Sequence, residues 1–98
     1  MRVEVTKRAQ REVNRLGRCW LANRDKAPTL FEEELSATYQ LIASDPTVGQ
    51  LYTVSRGRRI LRVLTGRTKN HVYYYQHQTD VLRVVSLWSA VRGRGPRL

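Results

Sequence analysis

The stretch Arg67-Thr68-Lys69-Asn70-His71-Val72-Tyr73-Tyr74-Tyr75 gathers two cations, an imidazole and three phenols. Such cations attract anionic groups, the imidazole titrates near neutrality, and a phenol offers both a ring and a hydrogen-bonding tip. Strand alternation puts His71, Tyr73 and Tyr75 on one face and Val72 and Tyr74 on the other. Tyr74 is then expected in the core with its hydroxyl satisfied, and Tyr73 and Tyr75 beside His71 on a contact surface. Further cations, Arg92 and Arg94, follow in a tail broken by Gly93, Gly95 and Pro96.

The charge around this stretch is lopsided. Residues 1–49 hold eight Lys or Arg against seven Asp or Glu, and residues 50–98 hold ten against one, so +9 of the net +10 lies in the second half. A positive field on a rigid, aromatic-studded sheet attracts nucleic acid or an acidic protein segment. Ninety-eight residues with 41% hydrophobic content make one folded domain rather than a disordered basic tail. No apolar run approaches bilayer length and none near Met1 resembles a secretion signal, so a cytoplasmic protein without membrane contact is expected. The lone cysteine, Cys19, reads as a small core residue. No Cys and His cluster has metal-ligand spacing, and neither metal nor cofactor is expected.

The elements that position these residues follow from periodicity. Arg2–Val5 alternates as a short strand, and Thr6 is placed to cap a helix in which Ala9, Val13, Leu16 and Trp20 recur at helical spacing. Arg8, Arg11, Arg15 and Arg18 form a second stripe, which alone is ordinary solvated charge. A polar break at Asn23–Ala27 leads to Pro28, suited to the first turn of a second helix. Phe31, Leu35, Thr38 and Ile42 line its inner face. Glu32, Glu33 and Glu34 favour its positive end, and being consecutive they splay too widely to share one ion. Asp45-Pro46 ends it, and so short a break between helices predicts an antiparallel hairpin.

Residues 46–57 read as a loop. Arg58–Thr65, His71–Gln76 and Val81–Trp88 read as strands joined by the short turns Gly66–Asn70 and His77–Asp80, an antiparallel meander. In the last strand strict alternation groups Leu82, Val84, Ser86 and Trp88, with Trp88 closing the core. The result is an α+β domain, β-α-α-β-β-β, with a helix hairpin on one face of a small, mostly antiparallel sheet. The domain spans 1–98, and residues 89–98 form a loose basic tail.

This element order resembles the RelE/ParE superfamily of bacterial type II toxin–antitoxin toxins. The residues that carry the resemblance are Val3-Glu4-Val5-Thr6 with Ala9, then Ser44-Asp45-Pro46 with Gly49 and Tyr52, then Arg67 to Tyr74, and finally Val84-Val85-Ser86-Leu87-Trp88 leading into Arg92-Gly93-Arg94-Gly95-Pro96. The superfamily holds two mechanisms. RelE-like members cut messenger RNA on the ribosome by 2′-hydroxyl attack, which needs cations, a base and an acid. On that reading Arg67 and Arg92 hold the phosphate and His71 is the base. Yet nuclease members often carry arginine at the position of His71, and Ser89 stands where many relatives have histidine. Beyond Trp88 there is neither His nor Tyr, so the usual acid is missing.

ParE-like members block DNA gyrase by binding it and need no acid or base. The resemblance therefore implies a ParE-like gyrase inhibitor, with the ribosome-dependent mRNA endonuclease as the alternative. A plain nucleic-acid-binding module is a third, weaker reading. Lys69, Tyr73, Tyr75, Arg92 and Arg94 are the implied target contacts. The resemblance also implies a cognate antitoxin whose acidic C-terminal segment lies along Arg8, Arg11, Arg15 and Arg18 and reaches Arg58 and Arg62.

Overall fold

The computed structural model describes residues 1–23 and 27–98. The expected break at Asn23–Ala27 therefore lies mostly outside the described residues. Strand β1 spans Arg2–Val5 and helix α1 spans Lys7–Asn23. The hydroxyl of Thr6 accepts from the Ala9 amide at 3.1 Å, satisfying one of the free donors at the helix start.

Helix α2 spans Leu30–Ser44 and begins later than Pro28. The Leu30 amide bonds back to the Ala27 carbonyl at 3.3 Å, so residues 27–30 close a turn of their own before the helix starts. Thr29 stands at the cap but donates its hydroxyl to Glu33 Oε1 at 2.7 Å instead of accepting from an amide. At the other end the Asp45 amide bonds to the Leu41 carbonyl at 2.8 Å, and Pro46 ends the helix as expected.

The segment read as a loop contains a strand. Gln50–Ser55 is β2, followed by β3 at Arg58–Leu64, β4 at Asn70–Gln78 and β5 at Val81–Ser89. Strand β2 escaped the sequence pattern for two reasons. It lies at the sheet edge with Leu51 and Val54 exposed, and a register shift between Leu51 and Thr53 breaks its alternation. Arg56 and Gly57 join β2 to β3 with φ of 53° and 75°, the two left-handed residues of a tight hairpin.

The sheet order is β1-β5-β4-β3-β2, with β1 parallel to β5 and every other pair antiparallel. The α+β architecture with two helices on a mostly antiparallel sheet is as expected, enlarged by β2. Ala9 of α1 and Phe31, Leu35 and Ile42 of α2 pack on Val72, Tyr74, Leu82, Val84 and Leu87. Tyr74 is 1% exposed, donates to the Pro46 carbonyl at 2.8 Å and accepts from the Gly49 amide at 3.0 Å. It anchors the chain between α2 and β2.

A bulge between Tyr73 and Tyr74 inverts the phase of β5. Leu87 joins Leu82 and Val84 under the helices, while Trp88 turns to the opposite face, so it does not close the main core. Glu12 of α1 accepts from the Ser86 hydroxyl at 2.9 Å and the Leu87 amide at 3.3 Å, just beyond the bulge. Cys19, expected in the core, is exposed on α1.

Glu34 does more than favour the helix dipole. Its carboxylate accepts from the Arg67 amide at 3.0 Å and from the Thr68 amide and hydroxyl, each at 2.8 Å. It thereby caps the 3-10 turn Gly66–Thr68 and ties α2 to the β3–β4 connection. Partial burial pushes this carboxyl up, but the Thr68 and Arg67 hydrogen bonds and the Arg67 charge together hold it below the usual range. A lowered folded value means stability that is present above the ordinary carboxylate pKa and lost as pH falls through the folded one. Glu34→Gln should cost about 1–2 kcal/mol near neutrality in urea unfolding, from charged hydrogen bonds lost at a partly exposed site. The difference from the parent should shrink below about pH 4.

Candidate functional site

The face of the sheet opposite the helices carries the residues singled out for chemistry. Tyr73, from the centre of β4, is 1% exposed and Tyr75 is 5% exposed, so neither is the open contact residue that alternation implied. They form a second core with Ile60, on which Tyr52, Val85, Trp88 and Leu98 pack. The tail, expected to be loose, is tied across this face, and its Leu98 completes the cover.

Four side chains hold the tail through its carbonyls. Trp88 Nε1 donates to Arg94 at 2.9 Å, Tyr52 donates its hydroxyl to Pro96 at 2.7 Å, Arg8 Nη1 donates to Arg97 at 2.9 Å and Ser55 donates to Leu98 at 2.8 Å. Pro96 is buried. Gly95 passes so near Tyr52 that an added Cβ would meet the phenol oxygen at 2.4 Å, which only glycine avoids. Residues 94–98 are thus a strap without regular structure. Four net hydrogen bonds contribute about 1 kcal/mol each, and ordering five residues costs about 1–2 kcal/mol apiece. The apolar contacts of Pro96 and Leu98 make up the difference, so the strap depends on packing as well as on its hydrogen bonds.

The cations on this face are tied to rings. Arg58 lies 4.8 Å from the Tyr75 centroid, Arg62 5.4 Å from Tyr52 and Arg92 4.4 Å from Trp88. Arg62 Nη1 donates to the Tyr73 hydroxyl at 3.5 Å and Arg83 Nη1 to that of Tyr75 at 3.4 Å. Arg62 Nε is buried without a hydrogen-bond partner. Burial first, and then the Arg62 charge, push the His71 imidazole below its ordinary value, which favours the neutral ring. Its ring stands edge-on to Tyr73 with centroids 5.9 Å apart.

Of the predicted nuclease residues, His71 lies opposite Trp88 in the β4–β5 register and Arg92 stacks on that ring, while Arg67 stands apart. Arg67 sits in the 3-10 turn beside Glu34, Arg92 on Trp88, and His71 beside Arg62. Lys69, in a left-handed conformation with φ of 55°, and Arg94 are exposed at the same end of the sheet. On α1, Arg11, Arg15 and Arg18 are exposed, whereas Arg8 turns to Glu12 at 3.6 Å and to the strap. Beside that stripe, Val13, Gly17 and Leu21 of α1 and Phe31, Leu35 and Tyr39 of α2 line an open groove of about 430 Å³. Arg58 is exposed and Arg62 half-buried.

Residues 3–92 match the model of a family described as the ParE toxin of type II toxin-antitoxin system, parDE. The chain belongs to that family. It is accordingly a type II toxin of the RelE/ParE superfamily, and membership implies a cognate antitoxin as its partner. No curated protein matches it. Among the described residues no helix is long and apolar enough to cross a membrane.

Sequence reading missed Tyr52 as a strap anchor, Glu12 and Glu34 as cross-links, and Arg83 as the partner of Tyr75. Only Tyr52 gave a signal, as part of the pattern Gly49 to Tyr52. Glu12 and Glu34 reach residues 33 to 75 positions away and leave no local trace, whereas Arg83 and Tyr75 are only 8 apart but meet through the register of adjacent strands. Gly95→Ala should lift the strap without unfolding the sheet. Trypsin cleavage after Arg92 and Arg94 should then accelerate about tenfold, the equivalent of roughly 1.4 kcal/mol of closure, while the main melting transition stays in place.

Proposed function

We propose that this toxin acts as a ParE-like inhibitor that blocks DNA gyrase by binding, without chemistry of its own. The observation that carries this reading is the closed outer face. The three phenols best placed to serve as an acid are Tyr52, Tyr73 and Tyr75. Tyr52 spends its proton on the Pro96 carbonyl, and the other two are buried beside arginines. A binding mode needs only the exposed shape and charge: Lys69, Arg92 and Arg94 are available at one end, with Tyr73 and Tyr75 acting as a rigid floor beneath the strap rather than as contacts.

One specific feature favours the alternative, ribosome-dependent mRNA cleavage. His71 favours the neutral ring and is therefore able to accept a proton, and the unpaired Nε of Arg62 points to a place for an anion near it. On that reading His71 is the base, and Arg67 and Arg92 hold the phosphate.

The antitoxin, on this proposal, lays an acidic segment along Arg11, Arg15 and Arg18 with apolar anchors in the groove between α1 and α2. Arg8 and Arg58 extend the track towards the strap, and Arg62 lies half-buried against Tyr52 and Tyr73 beyond it. Charge pairing on an exposed basic face steers encounter, so the association rate should fall at least tenfold between about 50 and 300 mM salt while dissociation changes little. Stopped-flow binding measures both; a salt-independent association rate contradicts the proposed track.

Supercoiling by purified gyrase, with mapping of transcript ends in cells, tests the target. The expected result is inhibition of supercoiling that survives His71→Ala but weakens about tenfold or more in Arg92→Ala with Arg94→Ala, about 1.4 kcal/mol of binding. Codon-linked transcript cleavage that disappears with His71→Ala and Arg67→Ala would overturn the gyrase reading.

A further inference from the structure

A cavity of about 280 Å³ lies where the strap ends, and four arginines from three separate parts of the chain line it. Arg8 comes from α1, Arg56 and Arg58 flank the β2–β3 hairpin turn, and Arg97 comes from the strap. Ile60, Tyr75 and Val85 form its floor. Arg8 shares its charge with Glu12 at 3.6 Å. Arg56, Arg58 and Arg97 have no ion pair among the described residues, so positive charge is in excess around one small space even with the Leu98 carboxyl end beside it.

Two further observations mark this as more than scattered surface charge. Arg56 adopts φ of 53°, a left-handed conformation that a tight hairpin turn ordinarily gives to asparagine, aspartate or glycine. The two-residue turn requires that conformation, and it holds Arg56 at the tip of the hairpin beside Arg58. Second, Arg8 fixes the strap by donating to the Arg97 carbonyl at 2.9 Å, so seating the strap is what brings Arg97 to the other three arginines.

We infer that the arginines Arg8, Arg56, Arg58 and Arg97 form a binding site for a phosphoryl group, completed by the closed strap. Planar guanidinium forks bind phosphate oxygens bidentately, and an excess of positive charge supplied by several arginines matches a multiply charged phosphate better than a single carboxylate. The phosphoryl group has two possible sources, a free or nucleotide phosphate and a nucleic-acid backbone. The site is independent of whether gyrase or messenger RNA is the target, because it lies at the β2–β3 turn end of the sheet, on the side of α1 where Arg8 stands, away from Arg67 and Lys69.

The test is titration of the full-length protein with pyrophosphate at constant ionic strength, followed by NMR of the arginine Nε resonances. Saturable shifts of Arg8, Arg56, Arg58 and Arg97 are expected, with a dissociation constant on the order of 1 mM. Arg56→Gln with Arg58→Gln should weaken binding about tenfold or more, and Arg97→Gln about threefold or more. Lys7→Gln with Arg59→Gln removes as much charge from outside the site and should change affinity less than about twofold. All five positions are exposed, so an unchanged melting curve separates lost binding from lost fold. A short 5′-phosphorylated single strand that binds far more tightly than pyrophosphate, with the same loss in the Arg56 and Arg58 double variant, identifies a nucleic-acid source. Equal affinities identify a free phosphate. Non-saturable shifts, equal weakening by the two double variants, or tighter binding of an oligoglutamate than of pyrophosphate would each overturn the proposal.

Discussion

A sheet has two faces, and this chain supplies one pair of helices. Five strands with apolar residues on both sides must therefore find a second cover, and the chain uses its own last residues. Tyr73 and Tyr75 are buried nearly as thoroughly as Val72 and Tyr74 on the helix side, yet what packs on them is Tyr52, Val85 and Trp88 of the sheet and Leu98 of the strap instead of two helices. The helix face is held by interdigitated side chains, the strap by four side-chain donors reaching its carbonyls. The two faces thus differ greatly in how readily they open. That inequality organises the surface: Arg58, Arg62 and Arg92 stack on rings, Arg56 and Arg97 line the end of the strap, and Arg83 bonds to the Tyr75 hydroxyl and to Glu4.

The same constraint bears on how a small basic toxin holds so much positive charge. Three arginines lie flat on Tyr75, Tyr52 and Trp88, where ring faces offset some of the repulsion that acidic residues do not balance in this half. Acidic residues serve at the junctions between elements. Glu4 meets Arg83 at 3.3 Å, Glu12 reaches the β5 bulge, and Glu34 caps the turn before β4. Each is worth little as a surface charge and more as a hydrogen-bond acceptor between elements distant in sequence.

Much of this was legible from residue order. The 3.6-residue spacing of Ala9, Val13, Leu16 and Trp20, and of Phe31, Leu35, Thr38 and Ile42, placed both helices with the correct inner face. Thr6 capped as its chemistry predicts, Tyr74 was buried with its hydroxyl satisfied, and the local signatures pointed to the family that the match over residues 3–92 shows. Strand β2 was not legible, because an edge strand with a bulge and exposed Leu51 and Val54 lacks the apolar alternation that marks a half-buried strand. Nor was the position of Trp88, since one bulged residue in β5 inverts every side chain after it.

The charge asymmetry, the two helices, the meander and the cluster from Arg67 to Tyr75 are properties of the sequence alone, since they depend on composition and local period. Whether the aromatic cluster is an open surface depended on where residues 94–98 lie. That position is fixed by contacts with Arg8, Tyr52 and Ser55, more than 40 residues away in the chain. Gly93, Gly95 and Pro96 exclude a regular ending but do not say where an irregular one goes. Backbone punctuation is local, whereas a covering segment is placed by the surface it covers, and only the folded chain presents that surface.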